Sequence, residues 1–213
     1  MKNIKDELQH IILGDEQSGT GSALKKTQTF LRGYAQAGFD PQKQQYLKSK
    51  EAEAILTFAN AENLFYDDEI SESDFISEGA EQKVYRLTES EILKTNAGIF
   101  YEYWLDYFNS LLLHNYFFPA TAYSFLGFKL INTELHAVVK QDFVVATQPT
   151  DLDLVRQFLL YNGFQLKKNN DYFNLDLGLI FEDLHDENVL SDKGILFFID
   201  TIFYITPTFY DSY

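Results

Sequence analysis

The sequence predicts an α+β fold whose sheet is mostly antiparallel, and three observations carry this expectation. Apolar residues at helical spacing fill 23–36 and 41–63, ahead of an acidic stretch at 66–75. Beyond it, Lys83–Leu87 alternates polar and apolar, meets a polar turn at Thr88–Ser90 and returns over Glu91–Lys94, which reads as a hairpin. The remaining segments run helix, strands, helix and short strands, an order that belongs to α+β folds rather than to a parallel βαβ sheet.

The elements follow in order. The stretch to about residue 23 is polar, and GDEQSGTGS reads as a flexible loop. It lacks the Gly-Lys-Ser/Thr ending of a phosphate loop, since Gly19 is followed by Thr20 and Gly21. The first helix, 23–36, has Leu24, Phe30, Leu31 and Tyr34 as its apolar set and stops at Gly38. Asp40 and Pro41 read as the cap and first position of a second helix. It runs to about residue 63 with Tyr46, Leu47, Ala54, Ile55 and Phe58 facing the core. YDDEISESDF, residues 66–75, reads as a linker or exposed loop. The composition boundary near residue 70 separates an N-terminal helical segment, 1–70, from a second domain, 71–213.

Within that second domain a long aromatic-rich helix is expected over 97–114, then strands over Ala120–Lys129 and Leu135–Val145. Gln148-Pro149-Thr150-Asp151 starts a helix over about 151–161, and Gly163 stops it. A strand near Leu177–Phe181, an acidic loop, a turn at Ser191–Gly194 and a strand over Ile195–Ile199 complete the chain.

Composition narrows the function classes. With 213 residues, 46% of them hydrophobic and 16% aromatic, the chain can bury a sizeable core. It has no cysteine, which excludes disulfides and thiolate metal sites. The net charge of -15 argues against nucleic-acid binding and against anionic membranes, because both need Lys and Arg at the contact. No apolar run approaches the roughly 20 residues of a membrane span. MKNIKDELQHIILGDEQSG has no signal-peptide core, so a cytoplasmic protein is expected.

The densest chemistry lies in FEDLHDENVL, residues 181–190. A calcium loop does not fit, because Leu190 and Ser191 stand where a third ligand and a glycine are needed. A His-carboxylate metal site around His185 has no supporting H-E-x-x-H spacing. The spacing of Asp183, Asn188 five residues later, and Asp200 at the end of the next apolar strand fits a third chemistry. Phosphoryl transfer uses a carboxylate to take or orient a hydroxyl proton, and an Asn with a second Asp to hold magnesium on phosphates.

DLHDENVL, residues 183–190, resembles the catalytic loop of the protein kinase-like superfamily, and FFID, 197–200, resembles its strand ending in the metal-binding Asp. Ser77, Glu78 and Gly79 lie where the glycine-rich loop should be, with only the middle glycine kept, and Val84 takes the place that covers adenine. Lys94 ends ILK as the lysine that contacts the α- and β-phosphates. The next helix should hold that lysine with a carboxylate, either Glu102 or Asp106. Gln141 stands as gatekeeper, followed by a hinge of Asp142, Phe143 and Val144. The runs LLLHNYFFPATAYSFLGF (111–128), VVKQDFV (138–144) and FIDT narrow the resemblance to the kinase family found in polyvalent proteins of phages and conjugative elements.

The resemblance implies a reduced kinase-like fold: a small antiparallel N-lobe with one long helix, a truncated C-lobe, and N-terminal helices in front. It implies ATP and Mg2+, Asp183 as the catalytic base, Asn188 and Asp200 as metal ligands, and an unknown hydroxyl acceptor on a protein or a small molecule. The alternative it leaves open is an inactive nucleotide- or partner-binding pseudokinase. Three departures bear on that choice. Phe181-Glu182 replaces the His-Arg before the catalytic Asp, so no Arg is expected to pair with a phosphorylated activation loop. Thr201-Ile202 follows Asp200 in place of Phe-Gly. Thirteen residues follow Asp200, so neither an activation segment nor a peptide-binding platform is expected. His185, where protein kinases tend to have Lys, resembles the small-molecule kinase pattern. Glu182, Asp186 and Glu187 are expected to be solvent-facing loop residues.

Overall fold

The computed structural model describes residues 2–14, 22–38, 48–79 and 82–211. The helices are α1 (Lys2–Leu13), α2 (Ala23–Gly38), α3 (Lys48–Glu62), α4 (Trp104–Phe117) and α5 (Leu152–Tyr161). The strands are β1 (Phe75–Glu78), β2 (Gln82–Arg86), β3 (Glu91–Asn96), β4 (Ser124–Ile131), β5 (Glu134–Asp142), β6 (Gln165–Lys168), β7 (Asp171–Asn174), β8 (Leu179–Glu182), β9 (Val189–Asp192), β10 (Ile195–Phe198) and β11 (Ile202–Ile205). Among the described residues every pairing between these strands is antiparallel, so the α+β expectation holds. Among the described residues no helix is long and apolar enough to cross a membrane. The expected Asp40-Pro41 cap, with Tyr46 and Leu47, lies outside the described residues.

The backbone divides into two compact units, one of Asp15–Phe108 and Tyr123–Phe143, the other of Met1–Gly14, Asn109–Ala122 and Val144–Tyr213. The first holds a five-stranded sheet in the order β1-β2-β3-β5-β4. Its β4–β5 turn is Asn132-Thr133, both at positive φ, the two-residue geometry that matches the twist of paired strands. On one face Tyr85, Leu93 and Val138 pack with Tyr66, Ile70 and Leu126. The run 66–75 is therefore not a free linker: its acids Asp67, Asp68 and Glu69 are exposed, but its apolar residues cover the sheet. Lys129 pins it by donating to the carbonyls of Tyr66 (3.1 Å) and Asp68 (2.8 Å). The neighbouring segment crosses β4 at Gly127, where φ is +145° and a Cβ would come within 2.7 Å of the Leu64 oxygen. Phe108, Phe125 and Phe128 pack edge-on or tilted at 5.0–5.8 Å, beside Trp104.

The long helix starts at Trp104, not near residue 97. Asn96 Oδ1 accepts from Gly98 N–H at 2.5 Å, and Gly98 has φ +64°, a left-handed turn that breaks helical continuity. Lys48 donates to the Gly98 carbonyl and, at 2.8 Å, to that of Tyr101. Glu51, fully buried, accepts from Trp104 N–H (2.5 Å) and Leu105 N–H (3.0 Å), satisfying amides that a helix start leaves without partners.

The second unit holds the sheet β11-β8-β7-β6 and the hairpin β9–β10. Strands β6, β7 and β11 have weak alternation in sequence and were not expected as strands. Their core is aromatic: Phe181 stacks on Phe203 and Phe118 on Phe198, each at 4.2 Å. The N-terminal stretch, for which no helix was expected, is helical over α1, while the loop expected at GDEQSGTGS lies almost wholly outside the described residues. Leu8 and Ile12 are buried, and Lys5 and Gln9 donate to the carbonyls of Thr208 (2.7 Å) and Phe209 (2.6 Å). Helix α5 begins where expected, with Asp151 accepting from Asp153 N–H and Leu154 N–H.

Candidate functional site

Strand β8 ends at Glu182, and the chain turns at Asp183, whose φ of +65° is rare for a residue other than Gly, Asn or Asp. Leu184, buried to 1% exposure, anchors the following loop to the core. Asn188 N–H donates to the His185 carbonyl at 3.1 Å, closing the loop so that β9 can begin. The hairpin turns at Lys193-Gly194, both at positive φ, and pairs Val189 with Phe198. That register returns the chain beside Asn188: its carbonyl accepts from Ile199 N–H (2.9 Å) and Asp200 N–H (3.4 Å).

Three residues expected to act together are thus brought together. Asn188 is buried, and its Nδ2 donates to the Asp183 carbonyl and to Asp183 Oδ2, both at 2.8 Å, with His185 Nε2 at 3.1 Å. Asp183 is exposed, and its Oδ1 lies 3.3 Å from His185 Nε2. Glu182 departs from the expectation of a solvent-facing loop residue. It is a half-buried strand residue paired with Ile202, and burial, then Asp171 and Asp183, push its carboxyl above the usual range. Asp186 and Glu187 are exposed, as expected.

In the five-stranded sheet, register sets the faces. Val84 pairs with Lys94, Lys94 with Val139, and Ile92 with Gln141. Cross-strand partners share a face and alternate residues do too, so Val84, Lys94 and Gln141 point the same way. Lys94 is buried to 2% exposure, with Nζ 3.5 Å from the Tyr123 hydroxyl and 5.2 Å from its ring centre. Ser77 pairs with Val84, and Glu78 with Lys83. Gly79 N–H donates to the Gln82 carbonyl at 2.8 Å, and a Cβ there would meet open space. Asp142 is exposed at the end of β5, while Phe143 N–H is committed to the Ser90 carbonyl (2.8 Å) and its ring lies 4.3 Å under the Arg86 guanidinium.

Glu102 is not on the helix as expected. It is exposed in the bend before α4 and hydrogen-bonds the Tyr103 phenol, whose pKa it raises. Asp106 lies in the first turn of α4, where its Oδ2 accepts from Tyr103 N–H at 3.3 Å and burial raises its carboxyl pKa.

Magnesium favours oxygen ligands and is usually held by one or two carboxylates together with substrate phosphates. The Asn188 amide oxygen and the Asp200 carboxylate suit that demand. Among the described residues there is no group of three His, Asp or Glu side chains that could hold a metal ion.

Four residues of the surroundings carried no sequence expectation of a role. Tyr123 sits beside Lys94, Glu51 caps α4, and His114 and Thr121 are buried near the strand that leads to Asp200. The usable signal was a lone polar residue in an apolar run, His114 within LLLHNYFF; Glu51 had none, because its partners lie 53 and 54 residues away.

A family model described as the serine/threonine/tyrosine kinase found in polyvalent proteins matches residues 48–207. Comparison with curated proteins and with solved structures gave no match.

Proposed function

We propose, from the premise that the chain belongs to the family of serine/threonine/tyrosine kinases found in polyvalent proteins, that it is an ATP- and magnesium-dependent phosphotransferase. The observation that carries this reading is the Asp183–Asn188–Asp200 arrangement, fixed by hydrogen bonds of 2.8–3.4 Å. In this reading β1–β5 with α4 serve as the N-lobe, and the unit containing β6–β11 is a reduced C-lobe. Its setting is the cytoplasm, where ATP is available.

Asp183 accepts the proton of the acceptor hydroxyl as that oxygen bonds to the γ-phosphorus of ATP; the bond from that phosphorus to the β–γ bridging oxygen breaks, and ADP leaves. Asn188 orients the base through its amide nitrogen. Its oxygen and the Asp200 carboxylate would hold magnesium, which would supply neutralisation of phosphate charge. Lys94 contacts the α- and β-phosphates. Val84 covers the adenine beside the gatekeeper Gln141, and the hinge around Asp142 and Phe143 borders it, with the Phe143 N–H committed to the Ser90 carbonyl. Ser77, Glu78 and Gly79 lie over the phosphates. Of the two candidate carboxylates, Asp106 on α4 is the one left to balance Lys94, since Glu102 is exposed before the helix and bonds Tyr103. The acceptor is a protein or small-molecule hydroxyl.

One observation favours the second reading, a nucleotide- or partner-binding pseudokinase. The Gly79 amide closes its own hairpin, which leaves the phosphate cradle with one fewer donor. Incubation with γ-labelled ATP, magnesium and a panel of protein and small-molecule hydroxyls separates the two. Transfer by the wild type that is lost in Asp183→Asn supports the phosphotransferase. Nucleotide binding with no labelled product supports the pseudokinase.

A further inference from the structure

We propose that His114 is a positioning residue that fixes the direction of Asp200 from behind the site. This inference rests on the phosphotransferase reading. His114 is fully buried on α4. Its Nε2 lies 2.8 Å from the Thr121 carbonyl, which can only accept, so Nε2 carries the ring proton. In the neutral ring Nδ1 is then the acceptor, and it takes a hydrogen bond from the Thr201 hydroxyl at 2.7 Å. Thr121 in turn donates its hydroxyl to the Phe198 carbonyl at 2.6 Å. One imidazole thus ties both sides of Ile199-Asp200: Thr201 directly after it and Phe198 directly before.

An apolar residue would suit this place on packing alone, since the ring lies 5.4 Å from that of Phe118 and the neighbours Leu112 and Leu113 are buried. A buried polar side chain is tolerated there because both ring nitrogens are satisfied, and breaking the network strands buried donors and acceptors. Ser110 adds a further tie by accepting from Phe203 N–H at 2.9 Å. Residues 198–203 are therefore held from one side by α4 and the Pro119–Thr121 turn, which fixes the stretch of backbone that carries the Asp200 carboxylate. Partners behind a metal ligand that set its direction are the kind whose loss weakens metal affinity or activity without removing a ligand.

The test compares Thr201→Val, which deletes the hydroxyl at constant volume, with Thr201→Ser, which keeps it. ATP affinity is measured with and without magnesium. Thr201→Val is expected to raise the magnesium needed for half-maximal ATP binding by about ten- to hundred-fold, with magnesium-free affinity unchanged, and Thr201→Ser to restore it. An unchanged magnesium requirement in folded Thr201→Val overturns the inference, as does an equal loss of magnesium-free affinity, which marks a general structural role. A second readout needs no variant. The imidazole 15N spectrum of the wild type should show His114 as the Nε2–H tautomer, and the Nδ1–H tautomer overturns the inference. If the wild type binds no nucleotide under either condition, the phosphotransferase reading itself has failed and this inference falls with it.

Discussion

The Asn188 side chain holds Asp183 at two points, donating to its carbonyl and to its carboxylate at 2.8 Å each. The contact fixes the carboxylate of a residue whose backbone is already confined to an uncommon conformation. Asp183→Asn should lower turnover by about 10²- to 10⁴-fold while nucleotide affinity holds, because only proton acceptance is lost. Asn188→Leu should lower turnover and also raise the magnesium requirement, since it removes both the tether and the amide oxygen. Steady-state kinetics across magnesium concentrations check both, and a purely turnover-linked defect in Asn188→Leu counts against its metal role.

Gly79 and Gly127 should respond oppositely to alanine. At Gly127 the backbone lies at φ +145° and a Cβ would press on the Leu64 oxygen at 2.7 Å, so Gly127→Ala should cost about 2–3 kcal/mol of stability. At Gly79 a Cβ meets open space, so Gly79→Ala should leave stability unchanged and weaken nucleotide binding by crowding the phosphates. Denaturant unfolding with a nucleotide titration reads both; a stability loss at Gly79 contradicts the assignment.

Glu51 should matter to stability out of proportion to its distance in sequence. Glu51→Ala strands two buried amides at the start of α4 and should cost about 2 kcal/mol or more. Glu51→Gln keeps one acceptor and should fall between the two. Denaturation midpoints in the order wild type, Gln, Ala are expected, and a fully stable Glu51→Ala variant counts against the capping role.

Glu182 gives a pH dependence of defined sign. Its folded-state pKa is raised above the ordinary 4.5, chiefly by burial, so the folded protein binds this proton more tightly than the unfolded chain. Stability from this group is full below the unfolded value and is lost as pH rises through the folded one. Glu182→Gln should therefore stabilise the protein relative to wild type more at about pH 8 than at about pH 5. Thermal unfolding at the two pH values checks this, and a larger gain at the lower pH contradicts it.

Local signals in the sequence carried much of the fold. The β2–β3 hairpin, the start of α5 at Asp151 and the return of Asp200 beside Asn188 follow from alternation, a cap and a turn, each read within about a dozen residues. What escaped depends on distant partners. The start of α4 is set by Lys48 and Glu51, which no window around residues 97–104 contains. Helix α1 owes its order to Thr208 and Phe209, about 200 residues away. The run LLLHNYFFPATAYSFLGF owes its residues to contacts made in the folded chain. Its His114 and Thr121 tie down residues beside Asp200, its Tyr123 lies beside Lys94, and its Gly127 admits the crossing chain. These constraints act through space, so they leave residue choices in the sequence but no periodicity.

The most direct test of the central claim is calorimetric titration of MgATP into the wild type and into Lys94→Met and Asp200→Asn. The phosphotransferase reading predicts one nucleotide bound per chain, with affinity reduced by each substitution and with Asp200→Asn losing the benefit of magnesium while magnesium-free binding persists. No binding at millimolar MgATP, or binding untouched by both substitutions, would contradict it.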